Sequence, residues 1–175
     1  LSGADAVGFV QHIEALGYDS LWVPELFGRE PMATAGYLLA KTDRIKIASG
    51  IANIYVRDAH SMVQSRHTLA ELSEGRFILG LGVSNVGLNQ ARGHTWQPPV
   101  AKMAGYLDAM AAVEVGSVAP KSMGPLYMAA HGPKMQALGA SRTDGVLTYL
   151  MSPEHTQLSK ARMGPDADLN VICFL

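Results

Sequence analysis

Phe77-Ile78-Leu79-Gly80-Leu81-Gly82-Val83 is the longest apolar run in the chain. It is too short to span a membrane. It also shows no alternation of apolar and polar residues, so it reads as a strand buried on both faces, the kind found in parallel sheets covered by helices. Gly75, just before it, ends a helical stretch that reaches Leu72. Gly80 and Gly82 inside the run mark places where another part of the structure packs closely on the strand.

The same alternation of helix and strand continues on either side. Upstream, residues 4–16 place Val7, Val10, Ile13 and Leu16 three apart, a helix closed by Gly17. Residues 20–24 read as a short strand. Pro31 opens a helix with Met32, Ala35, Leu38 and Leu39 on one face. Residues 45–51 read as a second strand, and Asp58 or Ser61 caps the helix that runs to Leu72. Downstream, residues 84–99 hold Trp96, Pro98 and Pro99 and read as a long loop of the functional or mobile kind. A helix is expected over 100–113 and a small-residue linker over 116–122. Strands over 126–130, 145–150 and 169–175 then alternate with helices over 133–140 and 153–163. Strands alternating with helices argue a parallel sheet. The pattern fits two architectures: an open doubly wound sheet, or a (β/α)8 barrel, which takes about 250 residues. The first helix has no strand before it and the last strand no helix after it. The expectation is therefore one domain over residues 1–175 that belongs to a longer chain.

Composition narrows the function classes. Hydrophobic residues make up 48% of the 175 and charged residues 17%, which suits tightly packed, buried elements. A net charge of −1 with a pI near 6.6 and no basic stripe argues against a nucleic-acid partner. No segment reads as a membrane anchor. Cys173 is the single cysteine, which rules out an intramolecular disulfide and leaves a cysteine-based zinc site unsupported; a reducing cytoplasm is the expected setting. The G-x-G-x-x-G dinucleotide motif is not met, because Asn85 stands where its third glycine would be. No P-loop, H-E-x-x-H or G-x-S-x-G string occurs.

Three places carry polar residues at strand ends, where parallel α/β proteins build their sites. Ala129-Ala130-His131-Gly132-Pro133-Lys134 passes from a strand into a helix, whose free N–H groups and dipole suit a phosphate. A plain turn is the alternative. Ala48-Ser49-Gly50-Ile51-Ala52-Asn53-Ile54-Tyr55-Val56-Arg57-Asp58 leaves a strand through a glycine suited to a bulge. Asn53 and Arg57 there are possible ligands for a ring or an anion, and a loop packing Tyr55 on the core explains the segment equally well. Glu25 follows Trp22-Val23-Pro24 as an acid or base, or else as a partner for Arg29 or a helix cap. Met123, Met128 and Met151 either shape an apolar pocket or fill the core.

Taken in order, four strings resemble one family. They are Leu16-Gly17-Tyr18-Asp19-Ser20-Leu21-Trp22-Val23-Pro24-Glu25, the segment from Ile47 to Asp58, the segment from Leu69 to Val83, and Gly132-Pro133-Lys134-Met135. The chain resembles the luciferase-like monooxygenase superfamily, closest to its actinobacterial branch that uses the deazaflavin coenzyme F420. That resemblance implies a (β/α)8 TIM barrel, incomplete in these residues because the first strand and the last units are absent. It implies an oxidoreductase moving a hydride between F420 and a small organic substrate. FMN in a monooxygenase of the same fold is the alternative, as is a non-catalytic barrel that binds a flavin-like ligand or a partner. Homodimers are implied as well.

The resemblance also implies roles at the C-terminal mouth of the barrel. Gly50 and Ile51 match a bulge, often with a non-proline cis peptide, that backs the ring, with Asn53 just beyond. Gly82, Val83 and Ser84 match the strand end that skirts the ring. His131, Gly132 and Pro133 match a phosphate-side loop. Where many F420-using relatives carry Asp-His at the end of the second strand, this chain has Glu25-Leu26. A histidine proton donor does not carry over to that position, and Glu25 becomes the candidate acid or base. The segment over 84–99 is a candidate lid.

Overall fold

The structure, a computed structural model, describes residues 2–172. Helix α1 (Gly3–Ala15) starts with a reciprocal cap in which the Asp5 N–H donates to Ser2 Oγ and the Ser2 N–H donates to the Asp5 carboxylate. Gly17 follows it at φ 85°, the left-handed turn that leads into β1 (Ser20–Val23). Then come α2 (Pro31–Leu39), β2 (Lys46–Ser49), β3 (Ala52–Asn53), α3 (Ala59–Leu72) and β4 (Phe77–Gly82). The second half holds α4 (Val86–Ala91), α5 (Pro99–Ala111), β5 (Leu126–Ala129), α6 (Pro133–Arg142), β6 (Gly145–Tyr149), α7 (Pro153–Met163) and β7 (Asp168–Ile172).

All the strands are parallel and lie in one sheet, in the order β1-β2-β4-β5-β6-β7, with β3 also on β4. This order decides between the two architectures. A doubly wound sheet reverses its order once and so covers both faces with helices. An unreversed order with right-handed crossovers puts every helix on one side and curls the sheet around its other face, as in a barrel. Among the described residues the curl stays open, with β1 and β7 at its two edges.

The packing follows from that curl. On β4, Phe77, Leu79 and Leu81 face the helices and join Ile47, Met62, Met103, Met128 and Val146 in the large outer core. Ile78 faces inward with Ala48, Tyr127, Leu147, Trp22 and Ile51 in a small separate cluster. The non-alternating run at 77–83 is thus apolar because two different cores claim its two faces.

Two expectations need correction, and one choice left open is decided. Residues 84–99 are not a plain loop: Val86–Ala91 is a helix, capped by the Asn85 side chain accepting from the Leu88 N–H at 2.9 Å. The strand expected over 45–51 stops at Ser49 and resumes as β3. Asp58, not Ser61, caps α3, and its carboxylate accepts from the Ser61 N–H. The expected last strand is present as Asp168–Ile172; the rest of it, with Cys173, lies outside the described residues. Among the described residues, no helix is long and apolar enough to cross a membrane.

Candidate active site

The mouth is built where β2 breaks. Ala48 lies opposite Ile78, and Ala52 lies opposite Leu81. One strand therefore advances by an extra residue against its neighbour, and that residue forms a bulge. The Gly50–Ile51 peptide inside it is cis. Ser49 keeps the ladder whole across the gap: its Oγ donates to the Gly80 carbonyl at 2.9 Å and accepts the Gly80 N–H at 3.0 Å. The bulge turns Ile51 onto Gly82, where a methyl group would sit 2.5 Å from Ile51 Cγ1. At Gly80 it would sit 2.2 Å from the Ser49 carbonyl oxygen. Both glycines thus hold space that the break in β2 occupies. Ser84, just past β4, has φ 58°, a conformation that side chains rarely take and that clusters at functional sites.

Behind this ledge lies a polar network. Glu25, 8% exposed, accepts the Asn53 N–H at 2.8 Å and receives Arg57 Nη1 on both oxygens, at 2.7 and 2.9 Å. Arg92 lies 3.8 Å from the same carboxylate. Arg57 also donates to Glu30, which caps α2 by accepting the Ala33 N–H at 2.6 Å. Burial works to lower the Arg57 pKa, but the two carboxylates outweigh it and hold the guanidinium above its ordinary value. Burial likewise opposes ionisation of Glu30, yet the N–H groups of Ala33 and Met32 together with Arg57 keep its carboxyl below the usual range. Asn53 is fully buried; its Nδ2 donates to Asn89 Oδ1 at 2.8 Å and its Oδ1 accepts the Tyr55 N–H at 3.0 Å. Asn89 Nδ2 in turn donates to the Val83 carbonyl at 2.8 Å.

Beside β4, β5 delivers His131 and Gly132 to the same end of the sheet. Pro133 is the first residue of α6, where its missing N–H is no loss. No side chain caps α6, and a methyl group on Gly132 would meet nothing within 4 Å. The first-turn N–H groups are therefore accessible to an anion. Burial, and then the neighbouring His155, lower the His131 pKa, which favours the neutral ring.

The structure thus brings Glu25, Gly50, Ile51, Asn53, Gly82, Val83 and Ser84 together, with His131, Gly132 and Pro133 one strand further along. Glu25 pairs with Arg57 rather than with Arg29, and Glu30 rather than Glu25 caps the helix. Asn89 and Arg92 were missed; Asn85 ahead of a short Val86–Ala91 segment was the available sign of a capped helix. The 84–99 segment is tied down rather than free: Arg92 donates to the Leu26 carbonyl, the Gln97 N–H to the Tyr55 hydroxyl at 3.0 Å, and Trp96 stacks on Tyr55. At the opposite end of the strands, Arg66, Tyr127, Asp144 and Asp168 line a hollow, and Tyr127 donates to Asp168 at 2.7 Å.

Comparison with known proteins agrees with this fold. The sequence profile of luciferase-like monooxygenases matches residues 2–163. A 5,10-methylenetetrahydromethanopterin reductase of Methanolobus tindarius is 29% identical over 177 residues, covering 88% of this chain and 52% of the relative. The solved coenzyme F420-dependent tetrahydromethanopterin reductase from Methanopyrus kandleri superposes with TM-score 0.80 at 17% identity, covering 99% of this chain and 62% of that one. The oxygenating constituent of 3,6-diketocamphane monooxygenase from Pseudomonas putida, solved with FMN, superposes with TM-score 0.75 at 12% identity, covering 97% and 61%. The chain spans about half the length of the curated relatives it matches.

Proposed function

Because this chain belongs to the luciferase-like monooxygenase family, we propose that the protein is an oxidoreductase that moves a hydride between the deazaflavin F420 and a small organic substrate. What carries the proposal is the bulged junction of β2 and β3 set against Gly82 at the carboxyl mouth of the sheet. The curated relatives named as methylenetetrahydromethanopterin reductases support it.

The residues present fit such a group. Gly50, Ile51, Gly82, Val83 and Ser84 offer an apolar, largely backbone ledge for a flat ring. Asn53 supports that ledge from behind, since both its amide atoms are already bonded within the protein. His131, Gly132 and Pro133, at the uncapped start of α6, would hold the phosphate. When bound, F420 supplies the hydride chemistry, and the protein's part is to orient ring and substrate and to exclude water. Glu25 is the carboxylate of this network that bonds directly to the backbone of β3. In the proposal it acts on a reacting proton only if Arg57 yields it; otherwise it fixes the Asn53 backbone.

The test is titration of the purified full-length protein with F420 and, separately, with FMN, followed by fluorescence and absorbance. Saturable F420 binding at micromolar concentrations is the expected result. Tight FMN binding with no response to F420 overturns the choice of cofactor, and binding of neither overturns the proposal.

A further inference from the structure

We infer that helix α4 is the keystone of this mouth and that Asn89 is its positioning residue, acting on the ledge through Asn53 and Val83; the inference rests on the mouth being the ring site proposed above. Asn89 is fully buried, and its amide is divided between two strand ends. Its Oδ1 accepts a hydrogen bond from Asn53 Nδ2 and its Nδ2 donates to the Val83 carbonyl, each at 2.8 Å. Through Asn53 the connection continues to Glu25 at the end of β1. One side chain therefore joins the ends of β1, β3 and β4 in an unbroken line of direct hydrogen bonds. The Val83 carbonyl belongs to the peptide unit that joins Val83 to Ser84, so the orientation of that unit sets the shape of the ledge.

The rest of α4 serves the same purpose. Asn85 caps its first turn directly after Ser84, which holds φ 58°. Arg92, just past its last turn, donates to the Leu26 carbonyl and lies 5.9 Å from the Phe27 ring centre. An amide is required at 89 because it offers a donor and an acceptor together at any pH. Ionised aspartate offers only acceptors, and leucine offers neither.

The chemistry of Asn89→Asp separates positioning from simple packing. The ionised carboxylate still accepts from Asn53 but sets an oxygen against the Val83 carbonyl. The protonated acid, favoured by burial and by low pH, restores the missing donor. The charged and titratable neighbours, Glu25, Arg57, Arg92 and His94, whose backbone N–H donates to the Asn89 carbonyl at 2.9 Å, are common to variant and wild type, so the ratio of the two affinities isolates the new carboxyl. At pH 7.5, F420 affinity of the full-length Asn89→Asp protein is expected to fall roughly tenfold relative to wild type, with most of that ratio recovered towards pH 5. Asn89→Leu is expected to stay weak at both values. In Asn89→Asp at neutral pH, amide hydrogen exchange should quicken together in segments 50–57 and 80–92.

An affinity ratio near one, a loss that does not respond to pH, or quickened exchange confined to 85–92 would overturn the inference. If wild type binds neither F420 nor FMN, the ring-site proposal fails, and the exchange measurement still decides whether Asn89 couples the strand ends. If Asn89→Asp does not fold, Arg92→Gln cuts the other tie of α4. Exchange should then quicken in 25–30 and 84–92 together, and unchanged exchange in 25–30 overturns the keystone role.

Discussion

A methyl group added at Gly82 would press on the Cγ1 and Cδ1 atoms of Ile51, at 2.5 and 2.6 Å. Ile51 must then turn away from the ledge. Gly82→Ala is expected to weaken cofactor binding at least tenfold while lowering stability by only about 1–3 kcal/mol, the usual range for overpacking; titration and thermal melting measure the two separately. Arg57→Met is the harsher change, because it takes from buried Glu25 both of its charged hydrogen bonds and leaves it with Arg92 at 3.8 Å. Removing one partner of a buried pair destabilises by about 3 kcal/mol or more, and urea unfolding should show it. At this scale the sequence was only partly legible. Gly80 and Gly82 announced a close approach, but what approaches is Ser49 and Ile51, some thirty residues earlier. Glu25 likewise finds Arg57 across the mouth instead of Arg29 nearby, because only the folded sheet brings those strand ends together.

Among elements, the long periodic helices and the apolar strands were readable because burial repeats in their sequences. Helix α4 was not. Val86–Ala91 is six residues with a glycine inside, and side-chain ties to neighbouring strands hold it in place rather than an apolar stripe. Strand β3, two residues long, gives no period at all. The β5–α6 junction was legible as a strand passing into a helix through His131-Gly132-Pro133, and its chemistry yields a check. Burial, and after it His155, depress the His131 pKa, so the folded protein binds fewer protons there than the unfolded chain. Stability from this group is intact above the ordinary 6.5 and declines as pH falls from there towards the lower folded value. A phosphate-bearing ligand seated at α6 should raise the His131 pKa, visible by NMR titration of its ring protons with and without ligand. An unchanged titration would place the anion elsewhere.

The whole molecule divides its apolar residues between a large core under the helices and a small one inside the curl. Periodicity could not choose between barrel and open sheet, because both bury the same strands; strand order made the choice. At the amino-terminal end of the strands, the Tyr127 hydroxyl holds the Asp168 carboxyl below its ordinary value. Burial, followed by that same bond, pushes Tyr127 up to about 12. A depressed carboxyl stabilises above its unfolded value and loses that contribution as pH falls through the folded one. Tyr127→Phe should therefore melt a few degrees lower at pH 7, with the deficit closing as pH drops below 3.8, the ordinary value for Asp168. A gap that persists at pH 2 would assign the effect to packing. For the full-length protein we expect a homodimer in sedimentation, and a monomer at working concentration would count against the family analogy.

Ser49 shows how the mouth keeps its form. A strand that changes direction ordinarily strands its neighbour's amide and carbonyl, yet both groups of Gly80 are met by a single hydroxyl. One oxygen atom impersonates a peptide unit. The contour of the rim is therefore written in a side chain and is open to revision by one substitution: alanine at 49 would leave two main-chain groups bereft in the interior, whereas threonine keeps the surrogate and tests only the room around it.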